Sequence, residues 1–166
     1  MAQHERRGYR ALRKGRISLP GHYYLVTTVT HERQRWFTDF SHGCVVAREI
    51  HALDNAGLVK SLAWVLMPDH LHWLLRIDQV SLSQAMARLK GRTAYMINCR
   101  TGDRGSVWQP GFHDHGLRRD EDLLAAARYI VANPIRTGIV DSVKRYPFWD
   151  AVWLTERGPR ELGSKV

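Results

Sequence analysis

The chain has 166 residues, 44% of them hydrophobic and 25% charged, which is typical of one globular domain and excludes a wholly disordered protein. No apolar run is long enough for a membrane span and none follows the basic N-terminus as in a secretory signal, so we expect a cytoplasmic protein. Lysine and arginine number 25 against 16 acidic residues, a net charge of +9 that favours a polyanionic partner such as nucleic acid.

Basic residues are concentrated in a segment that we call the basic arm, residues 1–20. It holds six of the 25 basic side chains: Arg6, Arg7, Arg10, Arg13, Lys14 and Arg16. Such a segment is either a solvated extension or an arm that binds phosphates, and the net charge of the chain favours the second interpretation.

The first half of the chain predicts three strands and one helix. Residues 22–30 are rich in aromatic and β-branched side chains and predict a strand, and a helix follows, capped by Thr38 or Ser41 and ending near Asn55. Residues 58–67 and 70–77 flank a Pro68-Asp69 turn and predict a β-hairpin.

The second half predicts a helix from Ser81 to about Arg100, an irregular edge strand over residues 107–117, and a helix from Asp120 to about Asn133 that Pro134 ends. The order β-α-β-β-α-β-α predicts an α+β fold of the ferredoxin-like, split β-α-β type, with an antiparallel sheet and helices mainly on one face. We predict a single domain over residues 21–149 and a tail over residues 150–166.

His70 and His72 begin the second strand of the hairpin. Residues i and i+2 of a strand project from one face, so the two imidazoles can converge on a divalent cation. With nine histidines in the chain, an HxH pair alone is a weak signal, and surface histidines are the default interpretation. The apolar setting, WVLMPDHLHWLL, favours a functional pair, because polar side chains there are costly unless something uses them.

Tyr129 lies on the polar side of the third predicted helix, opposite an apolar arc. Asn133 follows at i+4 on the same side. An exposed tyrosine usually has no catalytic role. A tyrosine together with a metal-binding histidine pair in a basic chain, however, points to DNA strand transfer through a phosphotyrosine.

Four segments, in this order and spacing, resemble the single-tyrosine HUH transposases and, within them, the REP-associated tyrosine transposases of bacteria. They are WVLMPDHLHWLL, RLKGR, VWQPGFHDHGLR and ARYIVANPIRTGIV, and the resemblance extends from about Arg7 to Trp149. It implies the HUH nuclease fold. It also implies a metal-dependent single-strand DNA endonuclease and strand transferase that acts at REP-type palindromic hairpins.

The resemblance assigns roles to individual residues. His70 and His72 match the HUH motif and would bind Mg²⁺ or Mn²⁺ at the scissile phosphate, and Tyr129 matches the nucleophile that leaves a 5′-phosphotyrosine and a free 3′-hydroxyl. In related insertion-sequence enzymes a glutamine one turn after the tyrosine completes the metal site. Asn133 has that spacing here, with a shorter side chain and Pro134 beside it.

Other side chains are candidates for DNA contact. Arginine and lysine in the basic arm and in the second helix could neutralise phosphates, and aromatic and histidine side chains near Pro110-Gly111 could stack on unpaired bases. Lys90 could instead only snorkel from the apolar stripe, and Trp108 and Phe112 could instead pack in the core; His113 and His115 could also assist proton transfer. The candidates are Arg6, Arg7, Arg10, Arg13, Arg16, Arg88, Lys90, Arg92, Trp108, Phe112, His113 and His115.

Three other functions compete with this one. A domesticated hairpin-binding protein with little catalysis is the alternative, and His70, His72 and Tyr129 argue against it. A histidine-triad hydrolase would require a histidine where Leu74 stands, and an RNA-recognition domain would carry an aromatic and glycine pattern that is missing from the strands. We find no dimer interface in the sequence and expect a monomer.

Overall fold

The computed structural model describes residues 18–117 and 123–153. The five arginines of the basic arm and the predicted cap Asp120 lie outside the described residues. The elements in chain order are β1 (Tyr23–Val29), α1 (Phe40–Asn55), β2 (Val59–Met67), β3 (His70–Ile77), α2 (Leu82–Thr101), β4 (His113–Leu117), α3 (Leu123–Val131), α4 (Asn133–Arg136) and β5 (Trp149–Ala151).

The strands form one antiparallel sheet in the order β4-β1-β3-β2-β5. This order, with two long helices after β1 and β3, confirms the predicted α+β fold of the split β-α-β type. The predicted edge strand is present as β4, shortened to the residues after Pro110-Gly111.

The two long helices begin and end where short polar residues and glycine dictate. Asp39, rather than Thr38 or Ser41, caps α1, because its carboxylate accepts a hydrogen bond from the backbone nitrogen of Ser41. Ser81 and Gln84 form a capping box at the start of α2, and Gly102 ends that helix in the left-handed conformation.

The two long helices, α1 and α2, pack against each other on one face of the sheet, as the prediction of helices mainly on one face expects, and α3 lies on the opposite face. Trp64 of β2 faces α1, where His51 meets its indole ring edge-on at 6.3 Å between ring centroids. Val65 points to the opposite face and is the register partner of His72. Helix α3 contacts β2, β3 and β5, and the charge of Arg136, in the segment after α3, acts on His72, so α3 lies on the His72 face.

Two boundaries differ from the prediction near the C-terminus. Pro134 does not end the helical region: α3 ends at Val131, and Pro134 lies in the first turn of the short helix α4, where its missing N–H costs nothing. The predicted tail begins inside β5, which pairs with β2 as a fifth strand. Asp150 and Ala151 therefore belong to the sheet.

The core lies between the sheet and the helices. Leu71, Trp73 and Leu75 of β3 are fully buried on one face of the sheet, and Leu74 is fully buried on the other. Strand β3 is therefore covered on both sides, and its two half-buried histidines stand at the start of a mostly apolar element. No helix in the described parts of the chain is long and apolar enough to cross a membrane.

Candidate active site

His70 and His72 lie together at the start of β3. Their rings are 4.8 Å apart between centroids and nearly perpendicular, at 85°. Both side chains are half-buried and project from the same face of the sheet, as the i, i+2 spacing predicts. The strand alone therefore brings the two imidazoles together.

Each imidazole is oriented by a hydrogen bond to its Nδ1 atom. Nδ1 of His70 lies 2.6 Å from Oδ1 of Asp69, and Nδ1 of His72 lies 2.8 Å from the hydroxyl of Thr27 on β1. Arg33 holds the other oxygen of Asp69 at 3.4 Å. With Nδ1 engaged in both rings, the Nε2 atoms are the ones that can bind a metal ion, an arrangement common in histidine metal sites.

Burial keeps His72 uncharged at neutral pH. Desolvation lowers its pKa to about 4, and the positive charges of His70 and Arg136 act in the same direction. For Asp69, burial raises the pKa, but hydrogen bonds from His70 and Arg33 and the charges of both outweigh it, so the pKa is lowered. The pair thus combines a neutral imidazole with one held by a carboxylate.

Tyr129 lies on the exposed side of α3. Ala127, Ile130 and Val131 are buried on the opposite side, and the tyrosine side chain is 56% exposed. The predicted polar position of Tyr129 is therefore confirmed. The guanidinium of Arg136 lies over the tyrosine ring, 4.2 Å from its centroid.

Asn133 has a different geometry from the one predicted, because it begins α4 instead of continuing α3. Its Nδ2 atom donates to the carbonyl of Ile130 at 2.9 Å. The amide oxygen is then the atom that could bind a metal ion. Within residues 18–117 and 123–153, no group of three or more His, Cys, Asp or Glu side chains is arranged around a common metal position. The role of Asn133 as third ligand stays a prediction.

The donor set fits the metal ions that the resemblance implies. Two imidazoles with oriented Nδ1 atoms suit Mn²⁺ at least as well as Mg²⁺, since imidazole is softer than the oxygen ligands that Mg²⁺ prefers. Because His72 is uncharged at neutral pH, its lone pair is available without the loss of a proton.

Two predicted DNA contacts are corrected by the structure. The indole ring of Trp108 is buried, and its Nε1 donates to the hydroxyl of Thr93 at 2.9 Å, so it belongs to the core and is not presented to a base. The ammonium of Lys90 donates to the carbonyls of Gln109 and Gly111 at 2.7 and 2.6 Å. Lys90 therefore holds the Pro110-Gly111 segment in place, and its assignment as a phosphate contact is replaced by this structural role.

Arg88 and Arg92 share a buried carboxylate on α1. Their Nε atoms lie 3.4 and 3.1 Å from the two oxygens of Glu49, while both side chains remain about half exposed. The two ion pairs join α2 to α1. Phosphate contact by these arginines stays a prediction, because the ion pairs engage the Nε atoms rather than the terminal nitrogens that would meet a phosphate.

The β4 side chains lie on the strand next to the candidate site. His113 is exposed and pairs in register with Thr27, which in turn pairs with His72, so the three residues form one row across the sheet. His115 is exposed two residues further on, and Phe112 is half-buried against the core. Their contacts with DNA stay predictions.

Thr27, Asp69 and Arg136 belong to the site but were not among the predicted residues. Asp69 stands beside His70 in the motif PDHLH and could have been found from that adjacency. The contact of Thr27 depends on the register between β1 and β3, and that of Arg136 depends on the α4 turn. Neither is encoded by a local pattern.

Comparison with known proteins identifies the family. The model of the family described as "Transposase IS200 like" matches residues 18–133. A REP-associated tyrosine transposase of Escherichia coli is 30% identical over 88 residues, which are 52% of this chain and 50% of the relative. A Haemophilus influenzae relative with the same family name is 29% identical over 100 residues, 54% of this chain and 57% of the relative.

The chain thus spans about half the length of the curated relatives it matches. A solved structure of a REP-associated tyrosine transposase bound to a REP hairpin superimposes with a TM-score of 0.66 at 22% identity, covering 81% of this chain and 79% of that one. This similarity confirms the fold, and the named relatives confirm the resemblance to REP-associated tyrosine transposases. Because the family model covers more than half of its residues, the chain belongs to the IS200-like transposase family.

Proposed function

We propose that this protein is a metal-dependent single-strand DNA endonuclease and strand transferase that acts at REP-type palindromic hairpins through a 5′-phosphotyrosine intermediate. One observation carries the proposal: the helix that bears Tyr129, α3, packs against β3, the strand that begins with His70 and His72. A tyrosine hydroxyl on one helix and an imidazole pair on a separate strand therefore share one neighbourhood.

The chemistry assigns one step to Tyr129. Its phenolic oxygen attacks the scissile phosphorus, forming a phosphorus–oxygen bond as the bond to the 3′ oxygen breaks. The electron pair leaves with the 3′ oxygen, which takes up a proton to become a hydroxyl, while the phenol proton passes to solvent. Attack by another 3′-hydroxyl on the phosphotyrosine reverses these bond changes and joins the new strand.

His70, His72 and Asn133 would hold Mg²⁺ or Mn²⁺ near this step. When bound, the ion would neutralise charge on the scissile phosphate. The protein's own contribution is orientation: Asp69 and Thr27 fix the two rings through Nδ1, and burial keeps His72 neutral. The site is thereby preorganised for a cation before DNA arrives.

Hairpin DNA is the partner that we propose. The relative whose structure resembles this chain was solved with a REP hairpin. In this chain, the net charge of +9 and the exposed His113 and His115 beside the candidate site fit a polyanion with unpaired bases. We propose that a monomer acts on such DNA in the bacterial cytoplasm.

The test is the formation of a covalent protein–DNA adduct. The full chain is incubated with single-stranded DNA that carries a palindromic stem and its single-stranded foot, in Mn²⁺, Mg²⁺ or EDTA, and denaturing gels report the adduct. We expect an adduct with either metal ion and none in EDTA. Tyr129→Phe should abolish it while hairpin affinity stays within about twofold, because only the attacking hydroxyl is removed.

Tyr95→Phe is the matched control. Tyr95 is 71% exposed on α2, and its replacement should leave adduct formation unchanged. An adduct that persists in Tyr129→Phe would show that another residue is the nucleophile. Tight hairpin binding by the unmodified chain without any adduct would support the domesticated hairpin-binding protein instead.

A further inference from the structure

Arg136 is the feature of the site that neither the HUH motif nor the nucleophile explains. Its side chain is exposed, and its guanidinium stacks on the ring of Tyr129 at 4.2 Å. Stacking uses the flat face of the guanidinium, so the N–H donors on its edge remain available for a planar or tetrahedral anion.

The backbone around Arg136 is held by hydrogen bonds. The Arg136 nitrogen donates to the carbonyl of Ala132 at 3.0 Å, and the hydroxyl of Thr137 donates to the carbonyl of Asn133 at 2.8 Å. Pro134, in the same turn, is buried. The backbone from which the guanidinium extends is therefore held in a helical turn and not in a loose loop.

The charge of Arg136 is not neutralised by a carboxylate of the described residues. Arg76, Arg88 and Arg92 all form ion pairs, with Asp78 or Glu49, whereas no ion pair in residues 18–117 and 123–153 includes Arg136. Tyr129, on which Arg136 stacks, lies on α3, which packs against β3, the strand that begins with the histidine pair. A guanidinium with free edge donors beside a phenol and two imidazoles is suited to an anionic ligand.

We propose that Arg136 binds one phosphodiester of single-stranded DNA and holds it between the hydroxyl of Tyr129 and the His70–His72 pair. A phosphate accepts two parallel hydrogen bonds from a guanidinium, which fixes orientation as well as position. The inference rests on the proposed function for the identity of the ligand, but its test does not require cleavage.

The experiment is a scan of neutral phosphates in the Tyr129→Phe background, in EDTA. A set of hairpin oligonucleotides is used, each with one methylphosphonate linkage in the single-stranded foot, and fluorescence anisotropy gives each Kd. With Arg136 present, we expect one linkage whose neutralisation weakens binding about tenfold, the effect of removing one charge-assisted hydrogen bond. In Arg136→Gln, neutralising that linkage should no longer change the Kd, and unmodified DNA should bind about tenfold more weakly.

Arg128→Gln is the matched control, because it removes the same charge from an exposed position next to Tyr129. In Arg128→Gln, neutralising the linkage should still weaken binding about tenfold. In Arg136→Lys the weakening should be smaller, since lysine keeps the charge but not the bidentate geometry. The proposal would be overturned if Arg136→Gln gave the same Kd as the chain with Arg136 at every linkage. It would also be overturned if no single linkage in the foot weakened binding when neutralised. Absence of an adduct with the unmodified chain would overturn the proposed nuclease function and leave this scan interpretable.

Discussion

Thr27 contributes to the site through the ring of His72 and not through direct contact with substrate. Its hydroxyl lies 2.8 Å from Nδ1 of His72. Thr27→Val keeps the shape of the strand but removes this hydrogen bond, so the ring loses its fixed orientation. We expect the Mn²⁺ affinity of the full chain to fall about 10- to 100-fold, the usual effect of removing such an orienting partner. Isothermal titration calorimetry with MnCl₂ measures it.

Thr28→Val is the control at the neighbouring position. Thr28 points to the other face of β1, and its buried hydroxyl has no hydrogen-bond partner in the described part of the chain. Replacing it should leave Mn²⁺ affinity unchanged and should not lower stability, because a buried polar atom without a partner is unfavourable. An equal fall in affinity in both variants would show that the effect comes from strand packing.

The sequence could predict the residues of the site that follow a local rule. His70 and His72 obey the strand period, and Tyr129 obeys the helical one. Thr27 could not be found this way, because its partner is 45 positions away and is chosen by strand register. For Trp108 the sequence left both base stacking and core packing open, because an aromatic residue near a turn looks the same in either role, and the structure places its ring in the core.

At the scale of elements, β5 is the feature that no sequence pattern predicted. It is only three residues long, too short for an alternating pattern, and its pairing with β2 depends on the fold being already formed. The longer elements carried their own signals in caps and periodicity. The residue before β5, Phe148, packs against α1, which lies on the face of the sheet opposite to His72. The segment that contains β5 therefore also contacts a helix on that face.

Gly43 in α1 makes that packing possible. A Cβ atom at this position would overlap the ring of Phe148, which is buried and also contacts Phe40. Alanine is the better helix former, yet the overlap forces the ring or the helix to move. We expect Gly43→Ala to lower the free energy of unfolding by about 1–3 kcal/mol, as overpacking usually does. Urea denaturation followed by circular dichroism measures the change.

Gly91→Ala is the control that measures the effect of helix propensity without any overlap. Gly91 lies within α2, and nothing lies within 4 Å of the position that its Cβ would occupy. Its replacement should raise stability by up to about 1 kcal/mol. If Gly43→Ala were equally stabilising, Phe148 would have room to move, and the packing between β5 and α1 would be looser than the structure indicates.

Across the complete sheet, the candidate catalytic residues and the candidate base contacts occupy different halves of one face. Helix α3 covers β2, β3 and β5, while β1 and β4 on the same side present Thr27, His113 and His115. His72 lies at the border between the covered half and the half beside β4. The arrangement places the nucleophile candidate on one side of the histidine pair and the predicted base contacts on the other.

From the sequence, we predict that the basic arm strengthens DNA binding through its positive charge alone. Replacing its five arginines with glutamine removes five positive charges and should weaken binding to every hairpin oligonucleotide. The plot of log K against log salt should become shallower by about 0.7 for each phosphate that the arm no longer neutralises, because fewer counterions are released from a single strand. Anisotropy titrations between low and high NaCl measure the slope.

Arg145→Gln is the control for charge in general. Arg145 is exposed and already paired with Asp141 at 3.1 Å, so its replacement should change the slope little. A slope that stays the same after neutralising the arm would mean that the arm does not touch DNA. The affinity for the hairpin would then come from cations of the folded domain, with Arg136 beside the candidate site and Arg88 and Arg92 on α2 as the next residues to replace.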